Sequence, residues 1–209
     1  MVFYFTGTGN SLYAAKQLEA DPISIPQVID EEKLDFTAKT IGIVYPVYGH
    51  EVPAMVQEFF RKASFHTDYF YMVLTYGNRH GGAAELAEQL CVSCGIRPAY
   101  INVLLMVDNW LPGFDMEEQR RLDKQVEQQI AAIQADICAQ KRWIAPVTDQ
   151  DRAGHQEFLG RTSLMPPDAW QHLIRVTGNC VGCGICERVC PSGSIRVEML
   201  MCHKVTQKI

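Results

Sequence analysis

Residues 2–18, with the sequence VFYFTGTGNSLYAAKQL, decide the fold of this 209-residue chain. The stretch opens with a short apolar run, which has the length and composition of a buried strand. A loop rich in glycine and hydroxyl side chains follows, and then Leu12, Ala15 and Leu18 fall on one face of a helix. The order of strand, loop and helix is typical of the first unit of a parallel α/β sheet.

The same alternation continues along the chain. Apolar runs of strand length lie at about 2–5, 22–25, 41–45, 69–75 and 99–106. Amphipathic stretches separate these runs, and the last stretch predicts one helix from Asp115 to about Ile137. The pattern predicts a doubly wound parallel sheet of five strands, covered by helices, over residues 1–141.

The remaining quarter of the chain has a different character. After residue 141 the helical period fades and prolines appear at positions 146, 166 and 167. We interpret residues 142–172 as a linker that wraps over the domain surface. Residues 173–209 hold five of the eight cysteines and are expected to form a small C-terminal segment. In a reducing compartment such a cluster indicates metal ligation before it indicates disulfides.

Charge and hydropathy exclude two classes of partner. The net charge is −5 and Lys and Arg are not clustered, so we expect no nucleic acid and no anionic membrane surface as partner. No stretch approaches the roughly 18 consecutive apolar residues of a membrane-spanning helix. Met1 leads into the first strand without a basic or long apolar leader, so we expect a cytoplasmic protein.

The loop after the first strand carries hydroxyl groups and no cation. Thr6, Thr8 and Ser11 supply hydrogen-bond donors beside the positive end of a helix, which favours an anion. A Walker-type loop needs lysine where Asn10 stands, and the dinucleotide fingerprint needs glycine where Leu12 stands. The loop therefore suits a phosphate monoester held by neutral donors.

Thr6-x-Thr8-Gly9-x-Ser11, directly after the first strand, resembles the phosphate motif of flavodoxins, which holds the phosphate of flavin mononucleotide (FMN). The resemblance implies a flavodoxin-like fold with strand order 2-1-3-4-5 and FMN as cofactor. It also implies that two loops beyond the third and fourth strands hold the flavin ring. The FMN-binding residues that it implies are Thr6, Gly7, Thr8, Gly9, Asn10, Ser11, Pro46, Val47, Tyr48, Gly49, Thr75, Tyr76, Gly77, Asn78, Gly81 and Gly82.

Tyr48 and Tyr76 each have two interpretations. A tyrosine at the end of a strand is suited to stack on a flavin, because its ring face is large and flat. A tyrosine at such a position is about as often a packing residue at the rim of the sheet. The sequence leaves both roles open for both residues.

The most specific motif is Cys180-x2-Cys183-x2-Cys186-x3-Cys190-Pro191, which has the cysteine spacing of bacterial ferredoxins. Closely spaced thiolates of this kind hold a 4Fe–4S cluster. Glycines at positions 178, 182 and 184 allow the backbone to fold tightly around it. The predicted metal ligands are therefore the four cysteines of this motif.

A structural zinc site is the alternative for these cysteines. Two Cys-x2-Cys pairs, at 91–94 and 180–183, have suitable spacing for zinc, but this arrangement leaves Cys186 and Cys190 without a role. The pair at 91–94 lies near the C-terminal end of its predicted helix, where thiol pKa values are not lowered. We therefore interpret Cys91 and Cys94 as packing residues.

The opening motif and the cysteine-rich close together resemble flavodoxin and ferredoxin fusion electron-transfer proteins of anaerobic bacteria and archaea. In that family a second cysteine run follows, and the last cysteine of each run ligates the cluster formed mainly by the other. Here residues 199–209 contain only Cys202. Three possibilities stay open: Cys190 or Cys202 completes a single cluster, a partner chain supplies the ligand, or the segment holds no cluster.

The resemblance implies electron transfer through FMN and an iron–sulfur cluster, from a reduced donor to an acceptor that the sequence does not identify. Redox partner proteins are the expected partners, and reduction of a small substrate, as by an FMN-dependent oxidoreductase, stays open. The alternative is a flavodoxin-fold binding or regulatory module whose cysteine tail holds zinc or no cluster.

Overall fold

The computed structural model describes residues 1–110, 113–166, 176–190 and 195–197. The strands of this part are β1 (Val2–Tyr4), β2 (Ile23–Ser24), β3 (Asp35–Thr37), β4 (Thr40–Pro46), β5 (Ser64–His66), β6 (Tyr69–Tyr76), β7 (Tyr100–Leu105) and β8 (Trp143–Ile144). The helices are α1 (Asn10–Leu18), α2 (Ile25–Val28), α3 (Ala54–Lys62), α4 (Ala83–Ser93), α5 (Met116–Arg121), α6 (Val126–Cys138), α7 (Asp149–Thr162) and α8 (Ile185–Val189). Within these ranges no helix has the length and apolar character that crossing a bilayer requires.

The main sheet is a doubly wound parallel sheet. Its strands lie in the order β2-β1-β4-β6-β7-β8, and every neighbouring pair is parallel. The chain winds outward in both directions from the pair β1 and β4, so the loops after these two strands diverge. A crevice at the carboxyl ends of the strands is the usual consequence of this topology.

The predicted count of five strands was wrong. The five expected strands are present as β1, β2, β4, β6 and β7, and they have the predicted order within the sheet. β8 pairs with β7 as a sixth strand. A second sheet pairs β3 with β5, and it was not predicted either. These additional strands are two or three residues long, which is too short to carry a readable alternation of apolar and polar residues.

The helix predicted from Asp115 to Ile137 is two helices. Leu122 leaves the helical region after α5, and Gln125 has a left-handed backbone with φ 49° before α6 begins. The Asp123 carboxylate accepts a hydrogen bond from the Gln125 N–H at 2.9 Å, which stabilises the break. Apolar periodicity continues across the break and therefore hid it.

The segment predicted as a linker, residues 142–172, contains regular structure. It supplies β8 and the fourteen-residue helix α7. Thr148 and Asp151 form a reciprocal capping box at the start of α7, which fixes where the helix begins. Residues 167–172 of the predicted linker lie outside the described part of the chain.

The core has one apolar layer on each face of the main sheet, as a sheet covered on both sides requires. On one face an aromatic cluster centres on Phe3 and Phe59, whose ring centroids lie 5.2 Å apart. Phe36 from β3 and Phe65 from β5 pack on the same rings, so the small second sheet closes this end of the core. On the other face, α1 and α6 cover the sheet with residues such as Ala15.

Replacing Phe59 by Ala is expected to lower the free energy of unfolding by about 3–5 kcal/mol, because the ring is fully buried among aromatic neighbours. Val92 on α4 is 62% exposed, and Val92→Ala is the control, with an expected change below about 0.5 kcal/mol. Urea denaturation followed by circular dichroism measures both. Equal effects of the two substitutions would contradict this packing.

Candidate functional site

Three loops meet at the carboxyl edge of the main sheet. We call them the first loop (residues 5–9, after β1), the second loop (residues 47–53, after β4) and the third loop (residues 77–82, after β6). Glycines mark their contacts: the Tyr48 hydroxyl packs against Gly7, and the His50 ring packs against Gly81. The structure therefore brings together the segments that the sequence predicted as one site.

The first loop presents unused donors. Gly9 precedes α1 with a left-handed φ of 105°, and its N–H donates to the Thr6 hydroxyl oxygen at 3.0 Å. The side-chain amide of Asn10 donates to the Val107 carbonyl at 2.8 Å, so this side chain stabilises the fold. Thr8 is exposed, and its hydroxyl has no hydrogen-bond partner in the described part of the chain. Together with the first N–H groups of α1, Thr8 can donate to an anion.

Ser11 has a different place from the one expected of a phosphate ligand. Its side chain is fully buried, and its hydroxyl lies 2.8 Å from the equally buried hydroxyl of Thr75 at the end of β6. The two hydroxyls, both of which were predicted to bind the cofactor, thus hydrogen-bond to each other and join the start of α1 to β6. As direct contacts of a cofactor, Ser11 and Thr75 remain predictions.

Tyr48 has one of the two roles that the sequence left open, that of a packing residue, while stacking on a flavin stays a prediction. Burial of its hydroxyl end raises the pKa of Tyr48, and a hydrogen bond from the Gly7 backbone opposes that rise. The ring packs edge-on against Phe5 with 6.2 Å between centroids, yet the residue is 47% exposed. The tyrosine is anchored at the rim of the sheet and still offers ring surface for stacking.

Helix α7 covers the second loop, and two histidines meet there. His50 has a left-handed φ of 67°, and its ring centroid lies 4.7 Å from that of Phe158 and 5.7 Å from that of His155. The Nδ1 atoms of both histidines are buried without a hydrogen-bond partner in the described part of the chain. Burial lowers the pKa of His50, and the neighbouring His155, Arg79 and His80 lower it further.

The amino-acid sequence carries no signal for this histidine pair. The two residues lie far apart in the chain, and His155 stands in the segment predicted as a linker, so no spacing rule connects them.

A cavity of about 540 Å³ lies between the third loop and α7. Its lining includes the predicted site residues Tyr76, Asn78 and Gly81, and also His50 from the second loop. No residue of the first loop lines it. The predicted site therefore has two parts: the donors of the first loop, and the cavity beside the third loop.

The other predicted residues of the edge mainly shape the backbone. Pro46 ends β4 opposite Thr75, and the Val47 N–H donates to the Thr75 carbonyl at 2.8 Å. Gly49 has a left-handed φ of 59° and packs against α7, while Gly82 directly precedes α4. Gly77 is packed so closely that an added β-carbon would lie 2.5 Å from the Asp108 Cα.

Lys124 is a second residue of the edge that the sequence did not indicate, because it stood within the predicted fifth helix. Its ammonium donates to the Gly77 carbonyl at 2.6 Å, the Met106 carbonyl at 2.9 Å and the Gln119 side-chain oxygen at 3.1 Å. Burial lowers the pKa of Lys124, and the negative charge of Asp108 opposes that shift. Lys124 thus ties the third loop to the end of β7 and to α5.

Cys91 is a core residue, as predicted. It is fully buried, its sulfur lies 3.3 Å from that of Met72, and burial raises the pKa of its thiol to about 12. Cys94 ends the same helix and is half-buried. A thiol held in its protonated form is unsuited to thioredoxin-type exchange.

The predicted cluster ligands lie on a turn and a short helix. Gly182 and Gly184 have left-handed φ angles of 66° and 70°, and α8 follows directly. Cys183 and Cys186 are exposed and Cys190 is half-buried. Among the described residues, no three Cys, His, Asp or Glu side chains are grouped so that they could hold a metal ion. The residue types and their spacing fit a cluster, whereas the ligand set stays a prediction; Cys202 lies outside the described part.

Residues 174–196 match the family model of the 4Fe-4S binding domain. The matched segment contains all four predicted cluster ligands. The match supports an iron–sulfur cluster in the C-terminal segment and a redox role for the chain.

No curated protein matches the chain. Among solved structures, a protein of Bacteroides uniformis that is provisionally described as a flavoprotein is 15% identical, with a TM-score of 0.41, and the alignment covers 52% of this chain and 90% of that one. The Trp repressor binding protein from Bacillus subtilis is 11% identical, with a TM-score of 0.38, and the alignment covers 58% of this chain and 97% of that one. At TM-scores this low, neither likeness carries a conclusion.

Replacing Ser11 by Ala is expected to lower the free energy of unfolding by about 1–3 kcal/mol, because the buried Thr75 hydroxyl loses its partner. Thr75→Val keeps the shape of the side chain and removes the second hydroxyl. The double variant Ser11→Ala/Thr75→Val is therefore expected to lose less stability than the sum of the two single variants. Urea denaturation of all four proteins gives the coupling, and strictly additive losses would show that the two hydroxyls do not depend on each other.

Proposed function

We propose that this chain is an electron-transfer protein that holds FMN at the carboxyl edge of its main sheet and an iron–sulfur cluster in its C-terminal segment. The observation that carries the proposal is the match of residues 174–196 to the 4Fe-4S binding domain. A cluster of that type exchanges one electron, and its partner in the same chain would then be a second redox cofactor.

The first loop is the proposed site of the FMN phosphate. The Thr8 hydroxyl and the first N–H groups of α1 are unused donors, and they stand at the positive end of a nine-residue helix. A loop of neutral donors fits a phosphate monoester, because the phosphate oxygens accept several hydrogen bonds at once. FMN, when bound, exchanges one or two electrons.

The second and third loops are the proposed site of the flavin ring. Tyr48 offers an exposed ring face. The third loop supplies glycines where main chain would approach the ligand, and its Asn78 lines the cavity under α7 together with Tyr76 at the end of β6. These residues would orient the ring and limit the access of water, while the redox chemistry belongs to the cofactor.

The cysteine segment is the proposed site of a single 4Fe–4S cluster. Cys180, Cys183 and Cys186 would supply three thiolates and Cys190 the fourth. The left-handed glycines at 182 and 184 let the backbone turn between consecutive ligands. Electrons would then pass between FMN and the cluster within one chain, which would carry them from a reduced donor protein to an acceptor protein. We place the protein in the cytoplasm, where thiols stay reduced.

Protein purified without oxygen is expected to show flavin absorbance, a broad iron–sulfur band, and iron and acid-labile sulfide in equal amounts. Cys183→Ser is expected to lose most of its iron because a thiolate ligand is missing. Cys138→Ser is the matched control, since Cys138 is an exposed cysteine at the end of α6, outside the motif, and this variant should keep its iron. Iron, sulfide and flavin analysis of the three proteins measures these changes.

Colourless wild-type protein that contains zinc would contradict the proposal. That result would favour the alternative function, a binding or regulatory module with a zinc-binding cysteine tail. Equal iron loss in both cysteine variants would show instead that the ligands are misassigned.

A further inference from the structure

Lys124 uses its whole hydrogen-bonding capacity at the carboxyl edge. An ammonium has three N–H donors, and here they bond to two main-chain carbonyls and one side-chain amide from three different segments. The Asp108 carboxylate accepts from the Trp110 N–H at 3.1 Å, and its negative charge acts on Lys124 as well. The three groups that accept hydrogen bonds from the Lys124 ammonium are all neutral.

The bond to Gly77 fixes the orientation of one peptide group. The described residues contain no cis peptide bond, so the Gly77 carbonyl and the Asn78 N–H point in opposite directions. Because the carbonyl points toward Lys124, the N–H points away from it. This N–H has no acceptor in the described part of the chain. Asn78 also lines the cavity, so this unused donor belongs to a residue of the proposed ring site.

We propose that Lys124 is a positioning residue of this site, which holds the Gly77–Asn78 peptide so that its N–H donates to an acceptor atom on the edge of the flavin ring. The inference rests on the proposed function, since the ligand is FMN. An oriented donor with a positive charge behind it stabilises negative charge on that edge. Lys124 therefore favours the reduced form of the cofactor, which carries more negative charge.

Lys124→Met tests the inference because it keeps the aliphatic stem and removes the ammonium. The dissociation constant of FMN, measured by quenching of flavin fluorescence, is expected to rise about tenfold. The midpoint potential of the bound FMN is expected to become more negative. The order parameter of the Asn78 N–H, measured by NMR without FMN, is expected to fall from about 0.85 toward 0.6 as the peptide loses its restraint.

Two further variants separate the causes. Lys33→Met is the control for net charge, since the Lys33 side chain is 82% exposed, and it should change none of the three readouts. Lys124→Arg keeps the charge, so it should retain the potential of the wild type. If Lys124→Met does not fold, Lys124→Gln, which also lacks the charge, replaces it in every comparison. A Lys124→Arg potential as negative as that of Lys124→Met would contradict a role for the charge.

The proposed function and this inference fail in different ways. If the wild-type protein binds no FMN, the proposed function is wrong, and the Asn78 order parameter alone decides whether Lys124 positions the peptide. If FMN binds and Lys124→Met leaves affinity, potential and order parameter unchanged, the inference is overturned.

Discussion

The parallel pairing of β1 with β4 is the constraint on which the rest of the structure depends. Tyr4 lies opposite Val44, and the Phe5 N–H continues the ladder to the Val44 carbonyl at 2.9 Å. From this pair the chain winds to β2 on one side and to β6 on the other, so the connections leave in opposite directions. The first and second loops separate at this point, and the space between them is the place where α/β sheets of this type bind ligands.

Polar contacts then hold the separated loops in fixed positions. The hydroxyls of Ser11 and Thr75 join α1 to β6, and Lys124 joins the third loop to β7 and α5. Many polar groups of the edge are therefore committed to the fold. The Thr8 hydroxyl and the Asn78 N–H make no hydrogen bond within the described part of the chain, so a ligand can accept from them. Such free donors define the proposed site.

The long strands could be predicted from the sequence because they carry their own signal. β4 and β6 are continuous apolar runs, and the hydroxyl-rich loop after β1 indicates an anion site without further context. β8 could not be predicted, since two residues have no periodicity and the pairing of Trp143 with Tyr100 exists only in the tertiary structure. The break at Gln125 was hidden for a related reason: the apolar spacing continues through it, and the hydrogen bond from the Gln125 N–H to Asp123 leaves no apolar signal.

The contacts within the site depend even more on tertiary structure. The sequence indicated which loops would meet, but it did not indicate that Ser11 would be buried or that α7 would bring His155 to His50. The most direct test of the central claim is a titration of the protein with FMN and with riboflavin, which lacks the phosphate. We predict that FMN binds about a hundredfold more tightly than riboflavin. Thr8→Ala is expected to reduce this ratio of affinities to about tenfold, whereas the exposed control Thr37→Ala should leave it unchanged. Equal affinities for FMN and riboflavin would contradict a phosphate site in the first loop.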